Sequence, residues 1–324
     1  MAVHMRILSL VFLLILSATA HAETYPSRPI TLLVPAAAGG GNDTMARVVA
    51  DKMSRILGQP IVVENRPGAG GALAGRQVAH SEPDGYTIGI GNPATLAIAP
   101  FIFPNVGYDP TKDFAPIGMI AASPHIILVN KDNPAHTLAE LIAMAKKEPG
   151  KLTFASGGAG SPTHLGPELF ASMAGIKLTH VPYKGTGLAI TDLLGGHITM
   201  TFSSLLPAIG LVRDGKVRPI AVTGAKRVKV LPDVPTVSET VPGYESAQRY
   251  GIIAAAHTPG EIVDKLNAAL RGALTSEDVV ARISAEGAEI TPSSPAEYAA
   301  DITAEEQKWG KVIKALGLKV EQAH

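Results

Sequence analysis

The sequence predicts an α/β fold in which a mostly parallel sheet is flanked by helices. Short apolar segments typical of strands alternate with segments whose apolar residues recur at helical spacing, and Gly and Pro mark the turns. Such alternation is the usual pattern of parallel strands joined by crossover helices. Of the 324 residues, 46% are hydrophobic and only 17% are charged, so much of the chain must be buried. This length predicts about two domains.

The predicted elements follow one another along the chain, with one irregular region in the middle. Two apolar runs, residues 117–121 and 126–129, are predicted as neighbouring strands on either side of Ser123-Pro124. The other predicted strands are residues 30–34, 61–64, 86–90 and 152–155, and the predicted helices before residue 259 are 45–57, 72–80 and 138–147.

The C-terminal segment breaks this alternation. After Pro259 only helices are predicted, at residues 261–270, 278–286 and 296–316. Helices without strands of their own must pack on a sheet built elsewhere. We therefore expect the C-terminus to return to the first domain.

The first 22 residues predict a secretory signal peptide. Arg6 precedes an apolar stretch at residues 7–16, and Ala20-His21-Ala22 has the small-residue pattern of a cleavage site. A bilayer span takes about 20 apolar residues, so a membrane anchor is the weaker alternative. We expect an exported, soluble mature chain; Met5 is an alternative start.

Composition and motif spacing exclude several functions. The formal charge is zero, from 28 Lys and Arg against 28 Asp and Glu, and basic residues form no run, so no nucleic-acid partner is expected. The absence of cysteine excludes disulfides, thiolate metal ligands and cysteine nucleophiles. The ten histidines follow no metal-binding spacing. We therefore expect no metal and no cofactor.

Two weaker motifs point to other functions. Residues 89–94 fit the dinucleotide pattern G-x-G-x-x-A, but they follow the third strand and include Pro93. Ser161, His164 and Asp192 have the residue types of a hydrolase triad, yet the chain contains no G-x-S-x-G nucleophile elbow. A secreted hydrolase is a distant alternative, and we expect no enzyme.

Three glycine-rich loops, each between a strand and a helix, carry the main functional signal. They are the first loop (residues 38–43), the second loop (residues 156–164) and the third loop (residues 181–187). Glycine permits backbone conformations closed to other residues, and Asn42 or Asp43 is predicted to cap the helix after the first loop. Helix-start amides attract a carboxylate or phosphate without Lys or Arg. The alternative is a tight turn without a ligand.

The second and third loops leave structural roles open. Ser161 before a proline favours a helix start with the serine hydroxyl as its cap. Pro167 would then lie inside that helix, so a start at residue 166 is an alternative. His164 is either an anion contact or a structural histidine, and Tyr183 is either a contact or part of the core.

Short motifs occur in a fixed order along nearly the whole mature chain. They are Tyr25-Pro26-Ser27-Arg28-Pro29-Ile30, Gly39-Gly40-Gly41-Asn42-Asp43 with Arg47, Gly58-Gln59-Pro60, Val63-Glu64-Asn65-Arg66-Pro67-Gly68-Ala69-Gly70-Gly71, Pro83-Asp84-Gly85-Tyr86-Thr87, Tyr108-Asp109-Pro110 with Asp113-Phe114, Pro149-Gly150-Lys151-Leu152, Gly160-Ser161-Pro162 with His164, Val181-Pro182-Tyr183-Lys184-Gly185, Leu231-Pro232-Asp233-Val234-Pro235-Thr236 and Lys308-Trp309-Gly310. Each motif alone is weak, but the ordered set is very specific. It resembles the extracytoplasmic solute-binding receptors of tripartite tricarboxylate transporters, also called Bug-type receptors.

The resemblance implies a two-lobed periplasmic binding protein of the class II type, with its ligand in the cleft between lobes. Domain 1 would comprise residues 23–124 and 253–324, and domain 2 residues 125–252. The ligand would be a small mono- or dicarboxylate. The protein would be a monomer that delivers the ligand to membrane transporter subunits; alternatively, it would present the ligand to the ectodomain of a sensor kinase.

The resemblance also implies a set of ligand contacts, because the family holds its carboxylate largely through backbone amides and ordered waters. No residue of the set is catalytic. The candidate ligand-binding residues are Ala38, Gly40, Gly41, Asn42, Asp43, Asn92, Thr95, Ser156, Gly157, Ser161, His164, Tyr183, Ser203 and Ser204.

Two departures from the family pattern bear on the ligand. Ala36-Ala37-Ala38 replaces an aromatic residue and prolines, so this wall should be smaller and less rigid. Ser203 stands where relatives often carry an aspartate, which weakens the case for an amino acid with a free ammonium group.

Overall fold

The structure, a computed structural model, describes residues 24–103, 105–158, 160–183 and 186–318. The predicted signal peptide lies outside the described residues, as do Ala159, Lys184 and Gly185 of the glycine-rich loops. The strands in the described residues are β1 (Ile30–Val34), β2 (Ile61–Asn65), β3 (Thr87–Gly91), β4 (Phe114–Asn130), β5 (Thr153–Ser156), β6 (Thr179–Pro182), β7 (Met200–Ser204), β8 (Val217–Val222), β9 (Ala247–Ala255) and β10 (Glu289–Ile290). The α-helices are α1 (Gly41–Leu57), α2 (Ala72–Ala79), α3 (Ala99–Ile102), α4 (Leu138–Lys147), α5 (Pro162–Ala174), α6 (Thr186–Leu194), α7 (Leu205–Arg213), α8 (Gly260–Leu274), α9 (Glu277–Ala285) and α10 (Pro295–Leu316).

The strands form one connected sheet in the order β2-β1-β3-β9-β4-β7-β5-β6, with β8 and β10 also paired to β4. β1 is parallel to β2 and β3, and β5 is parallel to β6 and β7. β4 and β9 run antiparallel to their partners. The predicted α/β fold is confirmed. Its sheet is mixed because β4 and β9 run through the centre against the direction of their neighbours.

β4 is a single strand where the sequence predicted two. It spans 17 residues and includes both apolar runs, so the prediction of separate strands around Ser123-Pro124 is wrong. Residues up to Pro124 pair with β9, whereas residues from His125 onward pair with β7 and β8. Proline cannot donate to a ladder, and it is tolerated here because the strand changes partners at this point. We call the β1–β3, β9 and β10 side of this point the first half and the β5–β8 side the second half.

The C-terminal segment packs on the first half, as predicted, and also adds a strand. Leu266 of α8 lies in one buried apolar cluster with Ile30 of β1. Ile290 of β10 pairs antiparallel with Ala121 of β4. The prediction of helices alone after Pro259 is therefore wrong by one two-residue strand, which is too short to show a sequence period.

Side-chain contacts between the halves occur at two places, among others, in the described residues. Leu165 of α5 packs against Ile98 and Trp309 in a small buried cluster. At a second place Gly287, which follows α9, lies against Leu205 of α7, so that a Cβ on Gly287 would be 2.8 Å from the Leu205 Cβ. Among the described helices, none is both long and apolar enough to cross a membrane.

Candidate ligand-binding site

A cavity of about 430 Å³ lies between the two halves. Its walls come from the first loop, from the starts of several helices, from the middle of β4 and from the first residues of β9. This volume is in the range of small-molecule sites. The lining residues are Gly39, Gly40, Gly41, Asn42, Met45, Ser123, Pro124, His125, Pro162, Thr163, Thr186, Ser204, Pro207, Gln248, Tyr250 and Glu286.

A larger groove of about 680 Å³ lies on the outer face of the first half, between α1 and β2. It is lined by Arg47, Arg55 and the turn at residues 58–60, which precedes the amino end of β2. Ligands of open α/β sheets bind at the carboxyl ends of the strands. The cavity between the halves has that position, so it is the candidate site.

Four helices begin at this cavity. The amides of Gly41 and Asn42 have no hydrogen-bond acceptor in the described part of the chain. Free amides and the helix dipole make each helix start locally positive, and several such starts on one cavity favour an anion. The lining residues at these starts are Gly41 and Asn42 of α1, Thr163 of α5, Thr186 of α6 and Ser204 before α7.

The glycines of the first loop have different roles. Gly39 has a φ of +83°, which favours glycine, whereas Gly40 is extended and is the N-cap of α1. A Cβ on Gly41 would lie 2.7 Å from the Tyr250 hydroxyl oxygen, so only glycine fits there without displacement. Ala38 is exposed and does not form part of the cavity wall.

Asp43 braces the first loop from inside α1. Its buried carboxylate accepts hydrogen bonds from the Gly39 amide at 2.9 Å, Arg47 Nε at 3.0 Å and Asn65 Nδ2 at 3.0 Å. Burial alone would raise the pKa of Asp43, but the hydrogen bonds from these three groups hold it below its ordinary value. Asp43 therefore positions the loop as a charged acceptor rather than contacting the cavity.

A chain of amide side chains positions Asn42. Asn92 Nδ2 donates to Asn42 Oδ1 at 2.9 Å, and Asn92 Oδ1 accepts from the Thr95 amide at 2.9 Å. Asn92 and Thr95 are buried behind the wall, whereas Asn42 lines it. The predicted helix cap by Asn42 or Asp43 is wrong: both lie within the first turn, and Gly40 caps α1 without a side-chain bond.

Hydroxyl groups hold the second loop. α5 has Ser161 as its N-cap and continues through Pro167, so the alternative later start is wrong. The predicted Ser161 side-chain cap is also wrong, because its hydroxyl donates to the Gly158 carbonyl at 2.7 Å. The Gly157 amide donates to Thr163 Oγ1 at 2.9 Å. The interior proline removes only one helical hydrogen bond, and the helix tolerates that loss.

Two stacked histidines support the second loop. The ring centroids of His164 and His180 are 3.8 Å apart, and Phe154 stacks on His180 at 4.9 Å. His164 Nδ1 accepts from the Gly160 amide at 3.0 Å, and Ser156 Oγ lies 2.7 Å from His180 Nε2. Burial, and then the neighbouring His180, lowers the pKa of His164 to about 4, and burial also lowers the pKa of His180. His164 is thus a neutral acceptor within the loop.

The remaining predicted contacts divide between wall and core. Ser204 lines the cavity, but Ser203 is fully buried and its hydroxyl donates to the Ser204 carbonyl at 3.1 Å. The Tyr183 hydroxyl donates to Asp192 at 2.6 Å, and this bond raises the pKa of Tyr183 to about 12. Because Asp192 pairs with Tyr183 and not with His164, the hydrolase triad is not assembled.

The structure thus brings four predicted contacts to the cavity wall: Gly40, Gly41, Asn42 and Ser204. Those behind the wall or away from it are Ala38, Asp43, Asn92, Thr95, Ser156, Gly157, Ser161, His164, Tyr183 and Ser203.

Sequence reasoning missed a large part of the wall. Gln248 and Tyr250 lie just before the domain boundary expected at residue 252, which was their only signal. His125 lies directly after Ser123-Pro124, between the two predicted strands. No sequence pattern indicated that Glu286 would line the cavity, because it reaches the cavity from the C-terminal helices.

The cavity suits binding of an anion through neutral donors. Its described lining includes no Lys or Arg side chain. No group of three or more His, Asp or Glu side chains with metal-binding geometry occurs among the residues described. The Ser156–His180 pair, in which Ser156 is buried and His180 is half-buried, does not line the cavity.

Residues 45–318 match the family described as the tripartite tricarboxylate transporter family receptor, TctC. This chain belongs to that family. The match confirms the resemblance of the sequence motifs, and the chain is a solute-binding receptor by family and by fold.

Three solved structures are similar over nearly their full length. The R. palustris protein Rpa4515, solved with adipate, is 38% identical with a TM-score of 0.79, over 91% of this chain and 100% of that one. MatC from Rhodopseudomonas palustris, solved with bound malate, is 35% identical with a TM-score of 0.76, over 89% and 100%. The periplasmic binding protein BugD is 35% identical with a TM-score of 0.76, over 91% and 100%. Receptors of this fold family are periplasmic proteins.

Proposed function

We propose that this receptor captures a small organic mono- or dicarboxylate in the cavity and delivers it to a tripartite tricarboxylate-type membrane transporter. The observation that carries the proposal is the convergence of four helix starts on one cavity. Amides and hydroxyls at helix starts form charge-assisted hydrogen bonds with a carboxylate. The adipate and malate bound by Rpa4515 and MatC support this ligand class.

In this proposal the ligand carboxylate lies against the amides of Gly41 and Asn42, with the Thr163 and Ser204 hydroxyls across the cavity. The other predicted contacts act indirectly. Asp43, Asn92 and Thr95 hold the first loop, whereas Ser156, Gly157, Ser161 and His164 hold the second.

The two halves of the sheet are, in the same proposal, the two lobes of a monomeric binding protein. The chain crosses between them at Pro124 in β4. We place the second crossing at Ala247, because β9 pairs from that residue onward with the first part of β4. Residues 1–22 would be removed on export to the periplasm. No observation here favours the alternative role beside a sensor kinase.

A thermal-shift screen of C3 to C10 carboxylates, amino acids and sugars tests the proposal. A ligand with a Kd near 1 μM, present at a hundredfold excess over Kd, stabilises the folded protein by about 2.7 kcal/mol. For a chain of this size each kcal/mol raises Tm by roughly 2–4 °C. We expect carboxylates to raise Tm by several degrees; a rise with sugars or cationic compounds alone contradicts the proposal. Native mass spectrometry of the purified protein would identify a retained acid.

A further inference from the structure

One wall of this anion cavity carries a negatively charged side chain, Glu286. It follows α9 as the C-cap residue, and the adjacent Gly287 packs against Leu205 at the start of α7. Glu286 is partly exposed and lines the cavity. A carboxylate at the C-terminal end of a helix is unfavourable because the helix dipole is negative there. The α9 helix itself therefore gives no reason for a glutamate at this position.

Among the described residues, no group neutralises Glu286. In the described part of the chain its carboxylate makes no hydrogen bond or salt bridge, and the cavity lining includes no Lys or Arg. His125, also in the wall, is neutral because burial lowers its pKa to about 4. Tyr250 lines the same cavity, and its pKa is raised by burial and then by the charge of Glu286.

The cavity wall therefore carries two features of opposite character. The helix-start amides at Gly41, next to Tyr250, favour a carboxylate, whereas Glu286 offers a carboxylate that needs a donor. A second ligand carboxylate beside Glu286 would meet a like charge. An ammonium or hydroxyl group there would instead form a charge-assisted hydrogen bond.

We propose that Glu286 makes the receptor select a carboxylate that also bears a hydrogen-bond donor, over the matched dicarboxylate. This inference rests on the proposed function, because it takes carboxylate binding at the helix-start amides for granted. It also removes the sequence argument against an ammonium group. That argument depended on the serine at position 203, whereas Glu286 is an acid from a distant segment that lines the cavity.

Calorimetry with two matched ligand sets tests the proposal. The four-carbon set is γ-aminobutyrate, γ-hydroxybutyrate, butyrate and succinate, and the six-carbon set is ε-aminocaproate, hexanoate and adipate. In at least one set we expect the amino or hydroxy acid to bind at least ~10-fold tighter than the dicarboxylate, as expected for a charge-assisted hydrogen bond. Comparison of the amino and hydroxy acids shows which donor is preferred.

Two variants and a control separate selection from structural effects. Glu286→Gln should reduce this preference to within ~3-fold, and Glu286→Lys should reverse it in favour of the dicarboxylate. Glu289→Gln removes an exposed carboxylate three residues away, outside the wall, and should leave the preference unchanged.

The outcomes separate this inference from the function on which it rests. If carboxylates bind but Glu286→Gln changes only Tm and not the preference, Glu286 is a structural contact to α7 and the inference is wrong. A wild-type preference for succinate and adipate also overturns it. If no compound of either set binds, nor any other carboxylate of the thermal-shift screen, the proposed function fails first, and the inference fails with it.

Discussion

The first and second loops both end in a helix start at the cavity, but different chemistry holds them. The first loop is fixed by Asp43, a buried charged acceptor bound to Gly39, Arg47 and Asn65. The second loop is fixed by neutral groups: serine and threonine hydroxyls, and His164, whose Nδ1 accepts from the loop backbone. Each loop thus presents its amides because side chains behind it satisfy the backbone.

We call the Asp43 hydrogen bonds the first brace and the hydrogen bond to His164 Nδ1 the second brace. Acid should disrupt the two braces in different pH ranges. The pKa of Asp43 is below its ordinary value, so the first brace persists until the pH falls below about 4. The second brace needs a neutral His164, whose protonation would remove the acceptor at Nδ1. One anion site therefore combines an acid-resistant wall with an acid-sensitive one.

The largest effect is expected from Gly41→Val in the first loop. Its Cβ would lie 2.7 Å from the Tyr250 hydroxyl oxygen, and its methyl groups would cover the amides of the helix start. We expect calorimetry to show a loss of affinity of roughly 100-fold or more, equivalent to about 2.7 kcal/mol.

Gly260→Val is the matched control for Gly41→Val. Gly260 also begins a helix, α8, but a Cβ there meets nothing within 4 Å. The control should bind the ligand as the wild type does. If Gly41→Val folds and keeps wild-type affinity, the first loop is not the site.

The next largest effect is expected from Asp43→Ala. The substitution leaves the Gly39 amide without its acceptor and removes one hydrogen-bond partner each from Asn65 and Arg47. Each lost hydrogen bond costs about 1 kcal/mol, so we expect Tm to fall by several degrees and affinity to fall roughly 10-fold.

Asp51→Ala on the same helix controls for loss of an ion pair alone. Asp51 and Arg55 are both exposed, and such pairs contribute about 0–1 kcal/mol. Equal effects of the two variants on affinity would show that Asp43 does not brace the loop.

Acid should weaken the second loop before the first. The pKa of His164 falls from 6.5 to about 4 on folding, so its stabilisation is present above pH 6.5 and is lost as the pH falls towards 4. Burial also lowers the pKa of His125 to about 4, so its stabilisation is lost over the same pH range. Each of these imidazoles contributes at most about 3 kcal/mol to the free energy of unfolding at neutral pH.

His164→Gln tests this pH dependence, because glutamine does not titrate. Tm measured from pH 7 to pH 4 should fall less steeply in the variant than in the wild type. Parallel curves would mean that His164 titrates as an ordinary surface histidine. Amide hydrogen exchange should show loss of protection at Gly160 at a higher pH than at Gly39.

The smallest effect is expected from Thr163→Val, which keeps the shape of the side chain. It removes the acceptor of the Gly157 amide and one hydroxyl from the cavity wall. A loss of about 1 kcal/mol predicts a roughly fivefold weaker affinity by calorimetry. Thr303→Val, an exposed position on α10, should bind normally; an equal loss in both variants would count against a role of the second loop.

Much of the fold could be predicted from the sequence because its pattern is local. Helix α4 at residues 138–147 has a clear helical period and a Thr137 cap, and it forms as predicted. The continuity of β4 could not be predicted, because a proline usually interrupts a strand and only the exchange of partners at Pro124 makes it acceptable. The amide loops were visible in the sequence because glycine clusters before helices are local signals as well.

The rest of the site depends on contacts between distant segments. Tyr250 and Glu286 reach the cavity from β9 and from the end of α9, and no local spacing links them to the first loop. The predicted contacts behind the wall belong to the same loops as the wall residues. Sequence alone did not show which backbone amides face outward and which side chains turn back to hold them.

A crystal structure with the carboxylate that most raises Tm tests the central claim most directly. We predict a ligand carboxylate oxygen roughly 2.7–3.2 Å from the amide nitrogens of Gly41 and Asn42, with no Lys or Arg side chain on it. A ligand bound in the groove between α1 and β2, or a carboxylate held by Arg47 or Arg55 there, would contradict the account.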